Sequence, residues 1–83
     1  MPTILRESGW RLYFYSNEGD EPVHLHGRKG DMECKFLLLV EFYEIQEVWS
    51  IGLTNSERRE IRKIIFENFD YIIKSWDSYF DYL

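Results

Sequence analysis

The spacing of apolar residues changes at residue 54, and that change constrains what this chain can fold into. Upstream, Trp10, Leu12 and Phe14 alternate with Arg11, Tyr13 and Tyr15, the period-two pattern of a half-buried strand. Downstream, Ile61, Ile65, Phe69, Ile72, Trp76, Phe80 and Leu83 recur every three or four residues, which is one apolar helical stripe. Thr54-Asn55-Ser56-Glu57 marks the junction with the spacing of a capping box, Thr54 as N-cap and Glu57 at the third helical position. A strand-forming half and a helical half, each apolar on one side, bury those sides against each other. The expectation is a small α+β domain spanning residues 1–83, an antiparallel sheet of four to five strands packed on one face by a C-terminal helix or a broken helix pair. One helix, kinked at most, is preferred here to two helices broken near Asn68.

Turn signals divide the first half. Thr3 to Arg6 starts a strand and Ser8-Gly9 turns it. Asn17 to Pro22 is polar, contains Gly19 and Pro22, and reads as a loop. His24 to Lys29 and Met32 to Leu39 flank Gly30-Asp31, a two-residue hairpin turn. A fifth strand falls within Phe42 to Ser50, before Gly52.

The hairpin turn fixes which residues share a face. With Gly30 and Asp31 at the turn, Lys29 pairs with Met32, Arg28 with Glu33, Gly27 with Cys34, His26 with Lys35 and His24 with Leu37, and paired residues lie on the same side. Val23, Leu25, Gly27, Cys34, Phe36 and Leu38 form the core side. His24, His26, Arg28, Glu33 and Lys35 form the other. Placing Trp10, Leu12 and Phe14 in the core sets Arg11, Tyr13 and Tyr15 beside the histidines. A slip of one residue would bury the histidines and expose Trp10, Phe14 and Phe36. The expected site is an open sheet face away from the helix, with Arg11, Tyr13, Tyr15, His24, His26, Arg28 and Lys35 as binding residues.

His24 and His26 are the only histidines in the chain, and three readings of their face compete. His-x-His on a strand chelates a metal, but a catalytic zinc site takes three protein ligands. Cys34 is on the wrong face, while Glu33 and Asp31 are candidate third ligands with Arg28 competing for Glu33. The reading therefore assigns no metal and no cofactor, and keeps His24 and His26 as the candidate ligands. The second reading is a ribonuclease or phosphodiesterase: imidazoles titrate near neutrality and serve as general acid and base. In it His24, His26, Tyr13, Tyr15 and Arg28 are the catalytic candidates, Arg11, Arg28 and Lys35 neutralise phosphate, and the tyrosines stack bases. The third reading is purely structural, cross-strand pairs worth about 0.2–1 kcal/mol each, or anchors beneath a partner chain.

Composition narrows the class further. With 45% hydrophobic residues and 18% aromatic, the chain is not of the disordered type. Its net charge is -5, which counts mildly against wrapping nucleic acid. The ends are nearly neutral, and the excess lies at Glu41, Glu44 and Glu47. The run Phe36 to Val40 falls far short of the roughly 20 residues that cross a bilayer, so no membrane association is expected. Lone Cys34 excludes an internal disulfide and reads as a core residue. With no signal peptide at the amino end, a cytoplasmic location is expected. Arg58, Arg59, Arg62 and Lys63, interspersed with Glu57, Glu60 and Glu67, read as a solvated, ion-paired helix face. Trp76, Tyr79, Phe80 and Tyr82 exceed what one stripe buries, which suggests a homodimer surface.

Several segments carry a family likeness. Pro2-Thr3-Ile4, Phe14-Tyr15-Ser16-Asn17-Glu18-Gly19, Glu21-Pro22-Val23-His24-Leu25-His26, Lys29-Gly30-Asp31 and Glu33-Cys34-Lys35-Phe36, with the helix from Glu57 to Trp76, resemble the bacterial and archaeal family called domain of unknown function 4160 (DUF4160). The most specific element is Pro-x-His-x-His with Gly-Asp a few residues on, here Pro22, His24, His26, Gly30 and Asp31. Val23 stands where the family commonly has a second proline, and Leu39 to Gln46 is longer and more acidic than usual. The resemblance implies a small cytoplasmic prokaryotic protein encoded beside another small protein, as in a toxin–antitoxin-like module, and it assigns no reaction. The expected function is thus a module component acting by contact with a protein encoded nearby, with nucleic-acid contact as a weaker expectation and the ribonuclease or phosphodiesterase as the alternative.

Overall fold

The computed structural model of the protein describes residues 3–80. Five strands, β1 (Thr3–Glu7), β2 (Trp10–Tyr13), β3 (His24–Lys29), β4 (Met32–Leu39) and β5 (Glu44–Ile51), form one antiparallel sheet in chain order. Two helices follow, α1 (Asn55–Glu67) and α2 (Phe69–Phe80). The α+β expectation is met.

Two tight turns set the register of the first four strands. Ser8 and Gly9 both have positive φ, as a type I′ hairpin turn requires, whereas Gly30 alone does so in the β3–β4 turn, the type II′ pattern. From that turn His24 pairs with Leu37, His26 with Lys35, Gly27 with Cys34 and Arg28 with Glu33. On β2, Tyr13 lies opposite His26 and Arg11 opposite Arg28. The pairing expected from the sequence is the pairing observed. Between β4 and β5 the register shifts at Lys35 and Phe36, leaving Val48 as the extra residue of a bulge.

The core lies between one sheet face and the helices. Trp10, Leu12, Phe14, Leu25, Cys34, Phe36, Leu38 and Ile45 pack with Ile61, Ile64, Ile65, Phe69, Ile72 and Trp76. Ion pairs hold α1 to the sheet at the edges of this core. Lys29 reaches Glu57 and Glu60 at 3.2 and 2.9 Å, Trp10 donates to Glu60, and Arg58 binds Glu47 at 2.8 Å. These pairs cross from helix to sheet, so the charged face read as self-paired is in part an anchor for α1.

Of the two arrangements left open, the broken helix pair is the one found, with the break at Asn68, and the preference for a single helix is corrected. Asn68 leaves the helical region (φ -118°, ψ 19°) and its side-chain amide donates to the Ile64 carbonyl at 2.8 Å. An asparagine that bonds nearby backbone in this way competes with helix continuation. The Asn68 carbonyl then accepts from Ile72 and opens α2. The aromatic surplus at the chain's end is partly used internally. Trp76 and Phe80 both pack on Phe14, Tyr79 stays partly exposed, and Tyr82 and Leu83 lie outside the described residues.

At the start of α1 the Glu57 amide donates to Thr54 Oγ1 at 3.1 Å, as the cap requires. The reciprocal half of the capping box is absent because the Glu57 carboxylate goes to Lys29. Thr54→Ala should therefore lower stability by about 1 kcal/mol, a fall of roughly 4–8 °C in melting temperature, measurable by thermal denaturation. Cys34 tests the core. Burial pushes its thiol up to about 12, and nearby Glu47 and Glu33 add to the rise. The native protein should therefore fail to react with a disulfide thiol reagent at neutral pH and react fully once unfolded.

Candidate functional site

The loop between β2 and β3 forms a lid over the histidines. Two successive turns, Glu18 N–H to the Tyr15 carbonyl and Glu21 N–H to the Glu18 carbonyl, fold residues 15–21 back over the sheet. Gly19 lets this loop press against α2, since a Cβ at that position would collide with the Phe80 ring. The loop thereby places the Glu18 side chain between the two imidazoles. His24 Nε2 lies 2.8 Å and His26 Nε2 3.0 Å from the same carboxylate atom, Glu18 Oε1.

This arrangement overturns the open face expected from the strand pattern. His24 is 0% exposed and His26 4%. The register argument is right about which side of β3 they occupy, but it contains no information on what the loop does. Nor is the face isolated from the helices, since the Trp76 ring of α2 packs on His24 at 5.0 Å. Around His26, Tyr13 stacks at 5.5 Å, Tyr15 meets it edge-on at 4.6 Å and Trp49 of β5 lies 6.1 Å away. The pair sits in an aromatic box with Glu18 as its polar wall.

The electrostatics follow from that enclosure. Burial raises the Glu18 carboxyl pKa, but hydrogen bonds and charge from His24 and His26 outweigh it and leave the pKa below the usual value. Burial likewise dominates at His26 and drives its pKa down, opposed by Glu18 and reinforced by His24 and Lys35. Glu18 is thus an anion beside a neutral His26. Among the described residues His26 Nδ1 is buried with no hydrogen-bond partner. His24 Nδ1 is 3.0 Å from the Pro22 carbonyl oxygen. Tyr13 is pushed up to about 12 by burial and by the Tyr15 hydroxyl, so it stays a protonated phenol near neutrality.

The remaining candidates are gathered only in part. Tyr13 and Tyr15 join the histidines. Arg11 lies over the Tyr13 ring at 4.5 Å and, among the described residues, makes no ion pair with the Glu18 carboxylate. Arg28 turns toward the hairpin end and pairs with Glu33 at 3.4 Å. Lys35 pairs with Glu21 of the lid at 3.3 Å. Glu33 and Asp31 take no part in the cluster, and Glu18, which strand reasoning missed, does. The available signal was Glu18-Gly19 within a loop that runs directly into the histidine strand, a glycine marking close backbone approach beside a carboxylate.

Fold and site together define a small α+β domain whose sheet carries a lid-covered Glu-His-His cluster. The model of a family described as a domain of unknown function, DUF4160, matches residues 9–77. The chain belongs to that family. No curated protein and no solved structure matches it.

The lid carboxylate has a measurable role. Glu18→Ala leaves two buried ring nitrogens without their partner, each worth about 1–3 kcal/mol, so its melting temperature should fall by on the order of 10 °C or more. Glu21→Ala, which removes the exposed pair to Lys35, should change stability by no more than about 0.5 kcal/mol. Equal melting temperatures for the two variants would show that Glu18 does not bridge the histidines.

Proposed function

We propose that this protein is the partner-binding component of a two-protein module of the toxin–antitoxin type, acting through contact with a protein encoded nearby. The observation that carries this reading is the free edge of β5 and the corner leading into it. β5 ends the sheet, and among the described residues no strand pairs with its outer edge. Val48 and Ile51 (58% exposed) lie along it, and Val40, Phe42 (77%) and Tyr43 stand out at the corner. Pro22, Val23, Leu38, Leu39, Val40 and Phe42 line a shallow apolar groove of about 280 Å³ beside them, with Glu41 on its rim. β5 mixes Val48 and Ile51 with Glu44, Gln46 and Glu47, and an uncovered edge strand can take up a further strand from another chain.

Charge selects the occupant. Glu41 and Glu44 are exposed on this corner, and among the described residues Glu41 makes no ion pair while Glu44 is only 4.0 Å from Arg62. In a chain of net charge -5, two such corners repel each other. The matching ligand is an extended segment of another protein, basic and carrying one apolar side chain for the groove, added along β5 as a sixth strand. The cleavage reading gains no support, since both imidazoles are enclosed and Arg28 and Lys35 are held in ion pairs. Nucleic-acid contact, a homodimer through a surface other than β5 and a cytoplasmic setting are compatible with this proposal. No helix among the described residues is long and apolar enough to cross a membrane.

Co-expression with the product of the adjacent gene should give a stable complex on gel filtration. Val48→Lys should weaken it at least tenfold while leaving the melting temperature of the free protein unchanged. Failure of the two proteins to associate, together with no effect of either on growth, overturns the proposal. So does a homodimer of the chain alone that Val48→Lys dissociates, because the edge is then occupied by a second copy.

A further inference from the structure

The Glu-His-His cluster brings one donor atom from each of three metal-ligating residues to a common point, and the contacts of its ring nitrogens limit how that point can be filled. His24 Nδ1 lies 3.0 Å from the Pro22 carbonyl oxygen, which only accepts, so this nitrogen donates its N–H. A neutral imidazole has one N–H, and His24 Nε2 then presents a lone pair. Yet that nitrogen faces Glu18 Oε1, another acceptor, at 2.8 Å. His26 Nε2 converges on the same oxygen at 3.0 Å. Two acceptors cannot meet at this distance without something positive between them, either an extra proton or a metal ion.

We propose that Glu18, His24 and His26 form a binding site for a divalent transition-metal ion of the zinc class, held by two imidazole nitrogens and one carboxylate oxygen. One donor atom from each residue lies within 4.8 Å of the other two, so all three reach one ion. Two nitrogens and one oxygen are the donor set that takes zinc or iron(II) and leaves magnesium and calcium, which need oxygen ligands. The Nδ1–H of His24 on the Pro22 carbonyl is the outer contact that metal-bound histidines characteristically make, fixing the ring so that Nε2 points at the ion. Tyr13, Tyr15, Trp49 and Trp76 supply an apolar shell that keeps bulk water from competing.

The geometry leaves room for the ion. Metal–ligand bonds of about 2.0–2.1 Å in a tetrahedron place donor atoms roughly 3.3 Å apart, so the Glu18 carboxylate must withdraw by about half an ångström from its position between the rings. The two ring nitrogens, within 4.8 Å of each other, must settle at that same spacing by turning their rings. Glu18 is the ligand best able to withdraw. The histidines are fixed on a central strand, whereas Glu18 stands on a loop, with its side chain 18% exposed. That exposed side is also the route of entry and the place for a fourth ligand, water or a partner's group. The site is independent of the β5 edge proposed above, and each stands if the other fails.

The test uses the untagged protein, stripped with a chelator and returned to zinc or cobalt(II). Elemental analysis should find one ion per chain. Cobalt(II) should give the visible ligand-field absorption of a four- or five-coordinate site. A hundredfold excess of zinc over its dissociation constant should raise the melting temperature by on the order of 10–20 °C, and magnesium should not. Glu18→Gln, close in shape and still able to accept from an imidazole, and His26→Gln should each weaken zinc binding at least tenfold while circular dichroism shows them folded. Glu21→Gln, on the same loop, should bind as the unaltered protein does. Lack of stoichiometric metal and of any thermal shift in the unaltered protein overturns the proposal without recourse to a variant. Equal zinc affinity in Glu18→Gln, His26→Gln and Glu21→Gln also overturns it, since the ion then sits elsewhere.

Discussion

The pairing of β3 with β4 across Gly30-Asp31 is the constraint on which the other parts of this structure depend. Once Gly30 supplies the positive φ of that turn, each side chain of the hairpin is assigned to a face, because strand side chains alternate with a period of two. Leu25, Cys34, Phe36 and Leu38 are directed to the helices, and His24 and His26 to the opposite side. β2 extends the assignment through Tyr13 opposite His26. The helices can pack only where the resulting apolar surface is, and the lid can close only where the histidines are.

The lid completes the domain in a second sense. A small chain buries a limited share of its surface and has little stability in reserve. Here the loop from Tyr15 to Pro22 is used as a wall. Its turns carry Glu18 onto the imidazoles, Gly19 lets it meet Phe80 of α2, and Glu21 ties it to Lys35 of β4. Contacts to the end of α2 and to the sheet come from one loop, so the break at Asn68 matters to the site. It directs α2 to where Trp76 and Phe80 can reach Phe14, His24 and the lid.

Those features that depend on local pattern were legible in the sequence. The alternation at Trp10 to Tyr15, the turn at Gly30-Asp31 and the cap at Thr54 are each set by near neighbours, and strand faces follow from them by geometry. Two features were not settled by pattern, for the same reason: Asn68 could be named as the place of a break without showing that the break occurs, and Glu18 was missed altogether. Asn68 breaks the helix through a side-chain bond whose strength against continued helix depends on tertiary context. Glu18 reaches the histidines through a loop whose path is set by contacts with α2, sixty residues further along the chain. An apolar period carries no record of either. The polar character of Asn17 to Pro22 signalled a loop correctly, but polarity alone does not separate a loop in solvent from one that closes over a face.

The energetics of the cluster argue that stability is not what it serves. A domain of this length has a net stability of roughly 4–12 kcal/mol. His26 Nδ1 is buried without a partner among the described residues, and a buried polar atom left so costs about 1–3 kcal/mol of that. The surroundings of the two rings are aromatic on most sides, with Tyr13, Tyr15, Trp49 and Trp76 all in contact range. Apolar side chains at positions 24 and 26 would fill such a box and leave only the Pro22 carbonyl in need of a partner, and an apolar residue at 18 would remove the half-buried carboxylate as well. Replacing a buried charged cluster by well-packed apolar groups is commonly neutral or stabilising. The arrangement present instead holds two nitrogens and a carboxylate oxygen at a common point, at a cost in stability. That cost is intelligible if the convergence itself is what the chain uses.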